Sequence, residues 1–206
     1  MTLVFATHNT HKSKELIQLL PKKFKLYSLS DIGCVNEIPE TGDTLAKNAK
    51  IKADFVKYKF GLDCFADDSG LEVEALQGAP GVHSARYAGN QRDHSANIQK
   101  IWDQLKGQKN TRACFRTVIF AHVNKKSFQL EGKINGHLIF EKRGTKGFGY
   151  DPIFIPEGFN QTFAELGDEI KNKISHRAIA TKAFLKTSSM LKIRFIVWSG
   201  SSAKSS

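Results

Sequence analysis

The chain has 206 residues, 40% hydrophobic and 25% charged, which suits one soluble domain with a sizeable core. The opening "MTLVFATHNTHK" turns polar after a few apolar residues, which excludes a signal peptide, and no apolar run approaches the ~18 residues of a membrane helix. Three cysteines, Cys34, Cys64 and Cys114, lie far apart and form no CxxC pair, which argues against a disulfide framework or a zinc site and for a cytoplasmic, reducing location. The formal net charge of +11 points to an anionic partner, and it is unevenly spread. After Glu169 there is no acid, while Lys171, Lys173, Arg177, Lys182, Lys186, Lys192, Arg194 and Lys204 follow. Such a block serves a polynucleotide, a nucleotide phosphate, or simply a solvated basic helix and tail; charge alone favours the last.

In chain order, "TLVFA" reads as a short buried strand, followed by an amphipathic helix through Leu16, Ile17, Leu19 and Leu20 that Pro21 stops. "FKLYSL" is a second strand. Leu45, Ala49, Ala53, Val56 and Phe60 recur at helical spacing, with Asp43 or Thr44 as the cap. "DCFA" is a strand expected to end at the pair Asp67–Asp68, where Ser69-Gly70 bends the chain. A helix from about Asp93 to Leu105 puts Ile98, Trp102 and Leu105 on one face. "RACFRTVIFAHV", "SFQLEGKI" and "GHLIFEK" read as three antiparallel strands, and "KRGTKGFGYDPIFIP" as a glycine-rich loop entering an apolar segment. A last helix begins near "ISHRAIATKAFL". Strands alternate with helices and then cluster, so the expected fold is α/β: a mixed, elongated sheet flanked by helices, with two lobes around a central cleft. Residues 1–190 form one expected domain; 191–206, ending in "SGSSAKSS", form an atypical, flexible tail containing the β-prone patch "IRFIVW".

Two adjacent carboxylates, Asp67 and Asp68, close an apolar run. Carboxylates are costly near a core unless paired. On a regular strand they face opposite ways, but at a strand end one can turn into a cleft; alternatively they only make an Asx-turn. Upstream, "EIPETGDT" offers Glu40, which with an aspartate of the pair can form a hard oxygen site for Mg2+ completed by water and phosphate, or merely complement a helix dipole. "THNTHK" sits between the first strand and helix, where backbone amides favour an anion; Thr7, Asn9 and Thr10 add neutral donors and Lys12 a cation. It is not a GxxxxGK[ST] loop, and His8 and His11 have no metal-ligand spacing. "GTKGFGYDPIF" brings Phe148, able to stack on a flat ring, although Phe148 and Tyr150 equally suit the core. "KNKISHR" clusters Lys171, His176 and Arg177 at a helix start, as donors to anions or carbonyls or as a capped surface helix.

Taken together and in this order, "FATHNTHK", "ETGDTLAKNAKIKA", "FADDSGLEVEALQGAPGVHSARYAG", "GFGYDPIF" and "KNKISHRAIA" closely resemble the inosine triphosphate pyrophosphatase family, from about Leu3 to Leu185. The resemblance implies Mg2+-dependent hydrolysis of ITP, dITP and XTP to the monophosphate and pyrophosphate, by a homodimer. It implies that Thr7, His8, Asn9, Thr10, His11 and Lys12 hold the phosphates. Asp68 is then the catalytic carboxylate and a metal contact, with Glu40 and Asp67 also at the metal and Ser69 touching substrate. Phe148, Gly149, Tyr150 and Asp151, with Lys171, His176 and Arg177, form the implied base pocket. Two departures stand out: His8 occupies a place where the family often has glycine, and after Lys186 the chain leaves the usual pattern. Two rival readings remain, a pyrophosphatase for another modified or standard nucleotide, and a non-catalytic polynucleotide-binding protein. The second leaves Glu40, Asp67 and Asp68 without a task and lacks any recognised nucleic-acid module, so no nucleic-acid partner and no membrane are expected.

Overall fold

A computed structural model describes residues 3–21 and 26–190. Strand β1 (Leu3–Phe5) leads into helix α1 (Thr10–Leu19), which starts where the Asn9 side chain accepts the Lys12 amide at 3.1 Å. Strand β2 (Leu26–Tyr27) falls within "FKLYSL", whose Phe24 and Lys25 lie outside the described residues and whose Ser28 and Leu29 are not part of the strand. Helix α2 (Leu45–Phe60) is capped by the Thr44 hydroxyl, the second of the two expected caps, and ends at Gly61 in the left-handed conformation. Helix α3 (His94–Leu105) matches the expected span, with Asp93 just outside it as the N-cap.

Strands β3 (Asp63–Val73), β4 (Arg112–Val123), β5 (Lys126–Leu138) and β6 (Phe154–Pro156) complete a six-stranded mixed sheet in the order β2-β1-β3-β4-β5-β6. β1 runs parallel to β2 and β3, and the remaining pairs are antiparallel. The mixed α/β expectation holds. Two boundaries differ from it. β3 does not end at the aspartates: Asp67, Asp68, Ser69 and Gly70 pair in register with Ile119, Val118, Thr117 and Arg116. The long partner β4 keeps their backbone groups bonded, so Ser69-Gly70 does not bend the chain away. "SFQLEGKI" and "GHLIFEK" are one strand, since Asn135 and Gly136 pair with Cys114 and Ala113 inside the β5 ladder. The β5 glycines serve close approach rather than turning. A Cβ at Gly132 would lie 2.1 Å from the carbonyl oxygen of His176, so only glycine lets the start of the last helix, which begins at His176, sit against the sheet.

One helix was not expected. α4 (Phe163–Ile174) opens with a reciprocal capping box between Thr162 and Glu165 and is interrupted at Gly167, whose φ is 70°. It precedes α5 (His176–Met190). The expected tail, 191–206, lies outside the described residues.

The core follows the two-residue period of the strands. Phe65 packs with Phe5, Leu16, Ala180 and Phe184 on the α1/α5 face, while Cys64 and Ala66 pack with Ala53 and Val56 on the α2 face. Extended by parity, Asp67 and Ser69 fall on the α5 side and Asp68 on the α2 side. A third cluster joins Leu71, Ile98, Ile101, Phe115, Phe154 and Phe163 beyond the aspartates.

Candidate active site

The period that separates the two aspartates gives each its own set of partners. Asp67, 2% exposed, accepts from Lys12 Nζ at 3.2 Å, Arg177 Nε at 3.4 Å and Ser69 Oγ at 3.1 Å. Burial alone would raise its pKa, but Lys12 and Arg177 outweigh burial and hold the carboxyl well below the usual carboxylate range. Asp68 accepts from Asn48 Nδ2 at 3.2 Å and from its neighbour's backbone, Ser69 N, at 3.0 Å. Its ammonium neighbours are more distant, Lys52 at 3.8 Å and Lys12 at 3.9 Å. Burial therefore prevails there and pushes the Asp68 pKa up, against the pull of Lys12 and Lys52. Adjacent residues of the same type thus become one fixed anion and one carboxylate of raised basicity.

Glu40 reaches the same place from the loop before α2. Its carboxylate is hydrogen-bonded to Lys52 Nζ, the ammonium that also faces Asp68. Burial opposes the charge on Lys52, but Asp68 and Glu40 more than restore it, and its pKa is raised. One cleft is lined by Thr7, His8, Asn9, Lys12, Glu40, Asn48, Lys52, Asp68, Ser69 and Arg86. Among the described residues no group of three or more His, Cys, Asp or Glu side chains is arranged to hold a metal. Glu40 and Asp68, which both face Lys52, could offer two carboxylates, an all-oxygen donor set, to a metal ion. That suits Mg2+, which keeps several waters and takes other ligands from substrate phosphate, and it does not suit a closed Zn2+ site.

The remaining candidates form a second, more deeply buried network. Lys171, 3% exposed, donates to Asp151 Oδ2 and Glu15 Oε1, both at 2.6 Å. Glu15 also pairs with Arg177, whose Nη2 donates to Ser69 Oγ at 3.2 Å. Asp151 in turn accepts the Phe148 amide at 2.8 Å, which fixes the loop carrying Phe148 and Gly149. The Phe148 ring stacks on His11 at 5.0 Å, with Lys171 Nζ 5.0 Å from its centroid. Tyr150 is buried and donates to the Ser84 carbonyl at 2.9 Å; burial raises its pKa, so the phenol stays protonated. His176 is buried and stacked on Phe115 at 4.8 Å, and its Nδ1 has no hydrogen-bond partner among the described residues. Burial, then Arg177 and Lys171, push its pKa far below the usual value, so the imidazole is neutral. His8 bonds the Asn36 carbonyl at 3.0 Å, and Thr10 opens α1.

Residues 3–187 match the model of the Ham1 family. The chain belongs to that family. Among its Ham1 relatives, a dITP/XTP pyrophosphatase of Christiangramia forsetii is 52% identical over 186 residues, covering 90% of this chain and 98% of that protein. A dITP/XTP pyrophosphatase of Bacillus subtilis is 46% identical over 187 residues, covering 89% and 94%. The structure of a Ham1 protein from Coxiella burnetii matches with a TM-score of 0.85 at 36% identity, over 92% of this chain and 100% of that one. The Staphylococcus aureus Ham1 protein matches with a TM-score of 0.83 at 35% identity, over 91% and 100%.

Within this Ham1 chain, four side chains that bear on the site were not singled out by motif. Asn48 and Lys52 stand one turn apart on α2 and are buried among Leu45, Ala49 and Ala53. Polar residues on an apolar helical stripe were the available signal. Glu15, three residues after Lys12 on α1, carried a comparable but weaker one. Thr117, fully buried on β4 with its hydroxyl 2.7 Å from Ser69 Oγ, gave none, because strands routinely contain threonine.

Proposed function

We propose that this chain hydrolyses non-standard purine nucleoside triphosphates, dITP, ITP and XTP, to the monophosphate and pyrophosphate, removing them from the nucleotide pool. The observation that carries this reading is the meeting of Glu40 and Asp68 at one ammonium, Lys52, beside Lys12 and the Thr7–Lys12 segment. That this happens in a chain whose Ham1 relatives bear the name dITP/XTP pyrophosphatase supports the substrate class.

A Mg2+ ion held by Glu40 and Asp68 would neutralise phosphate oxygens and acidify a bound water. Asp68 would orient the attacking water and take its proton, a task a carboxylate of ordinary basicity can perform once a metal has acidified the water. The bond from phosphorus to the pyrophosphate oxygen breaks, and Lys12 and Lys52 offset the charge that builds on the leaving group. Asp67 has a supporting part: its carboxylate is shared by Lys12, Arg177 and Ser69, so it holds those donors in place.

Phe148 offers a stacking face for the base, and the neutral His176 can donate one N–H to the carbonyl that hypoxanthine and xanthine carry where adenine has an amino group. An amino group there would set donor against donor, and a site built around such a bond rejects the wrong partner by up to ~10⁴-fold. Mg2+ as the metal, a homodimer and a cytoplasmic location belong to the same proposal. The family resemblance supports the first two, and three free, buried cysteines support the third.

The test is a panel of dITP, XTP, ITP, GTP and ATP with Mg2+, with pyrophosphate and orthophosphate measured separately. Pyrophosphate from the inosine and xanthine substrates, with little from ATP, is the expected result. Orthophosphate as the product, or equal turnover of ATP, contradicts it.

A further inference from the structure

Asn48 is 3% exposed, and both ends of its amide are used. Nδ2 donates to Asp68 Oδ2 at 3.2 Å, and Oδ1 accepts the backbone N–H of Gly42 at 2.7 Å. Gly42 lies two residues after Glu40, so this one side chain on α2 ties the strand bearing Asp68 to the loop bearing Glu40. The approach is close: a Cβ at Gly42 would fall 2.7 Å from Asn48 Oδ1 and 2.7 Å from Lys47 Cβ. Lys52, one turn later on the same helix face, contacts the same two carboxylates. The ammonium attracts both from any angle, whereas the planar amide of Asn48 sets direction.

We infer that Asn48 is a positioning residue, which orients the Asp68 carboxylate and holds the Glu40 loop in register with it. The inference rests on the reading of Asp68 and Glu40 given above. With its amide engaged by Asp68 and Gly42, Asn48 acts through the groups that meet nucleotide and metal in that reading. Hydrogen-bond partners of ligating and catalytic carboxylates commonly change activity by about 10–100-fold when removed.

Two variants separate the ends of the amide. Asn48→Ala removes both bonds. Asn48→Asp keeps an acceptor for Gly42 but loses the donor to Asp68 and sets a like charge beside it. Three readouts are taken: kcat and KM for dITP with saturating Mg2+, amide hydrogen exchange at Gly42 without any ligand, and exchange along α2 and β3. For Asn48→Ala, kcat falls about 10–100-fold while KM stays within about threefold. Gly42 exchange accelerates, and exchange in α2 and β3 is unchanged. For Asn48→Asp, kcat is low but Gly42 remains protected. Wild-type kcat in either variant overturns the inference, as does a rise in KM in place of the loss of kcat. General acceleration of exchange through α2 and β3 also overturns it, by reducing Asn48 to a core residue. Should the wild type release no pyrophosphate from dITP or XTP, the proposed function fails instead, and Gly42 exchange still reports on the loop contact.

Discussion

His176 shows how one buried side chain sets a pH dependence. Its imidazole is stacked in the core and kept neutral by burial with Arg177 and Lys171 nearby, so its folded-state pKa is far below the unfolded value of about 6.5. Below that unfolded value the unfolded chain binds a proton that the folded chain refuses. Stability therefore falls as pH drops, by about 1.4 kcal/mol per pH unit, until the folded pKa is reached. Thermal unfolding between pH 7 and 5 should show this slope in the wild type and lose it in His176→Asn. An unchanged slope in the variant would place the titration elsewhere. Glu15 has the opposite character. Burial would raise its pKa, but Arg177 and Lys171 prevail and lower it, so its charge supports the fold at neutral pH. Glu15→Gln leaves two buried cations short of a carboxylate and should cost about 3 kcal/mol, read by chemical denaturation.

At the scale of elements, the site depends on how closely α5 lies against β5. Gly132→Ala would drive a methyl group to 2.1 Å from the His176 carbonyl and 2.5 Å from the Ala180 amide nitrogen. Overpacking of this kind costs about 1–3 kcal/mol, which corresponds to roughly 2–4 °C of Tm per kcal/mol in a chain of this size. Because the displaced turn carries His176 and Arg177, KM for dITP should rise together with the fall in Tm. A lower Tm with unchanged KM would separate α5 from base recognition. The same glycines explain where reading the sequence stops. Caps and periodicity located α1, α2 and α3 to within a few residues, because those signals are local. Glycine inside β3 and β5 reads locally as a turn, and only the neighbouring backbone reveals that it permits close packing. α4 was legible in principle from Thr162 and Glu165, but Gly167 breaks its periodicity. The candidate site was legible where motif residues gather, at Thr7–Lys12, the aspartate pair and 171–177. The division of labour between Asp67 and Asp68 was not, since it depends on which helix covers each face of β3.

For the whole molecule, the net charge of +11 is misleading about the cleft. Around the two networks stand the cations Lys12, Lys52, Arg86, Lys171 and Arg177 and the carboxylates Glu15, Glu40, Asp67, Asp68 and Asp151, five of each, so the site has no net positive charge. Three of the eight bases in the C-terminal block are engaged in ion pairs: Lys171 and Arg177 are neutralised internally, and the exposed Lys173 pairs with Glu169. A highly charged triphosphate therefore cannot rely on the side chains alone for neutralisation. Chelation by EDTA should abolish turnover, and Mg2+ should restore it; turnover that persists in EDTA would refute a divalent metal in the site.

The account turns on Asp68 being the carboxylate that handles the attacking water while Asp67 holds its surroundings. The most direct measurement is kcat for pyrophosphate release from dITP with Mg2+ in the wild type and in Asp68→Asn, with Tm recorded alongside. The expected result is a loss of about 10²-fold or more at a Tm close to that of the wild type. Wild-type kcat in Asp68→Asn would contradict the assignment and move the chemistry away from this face of β3.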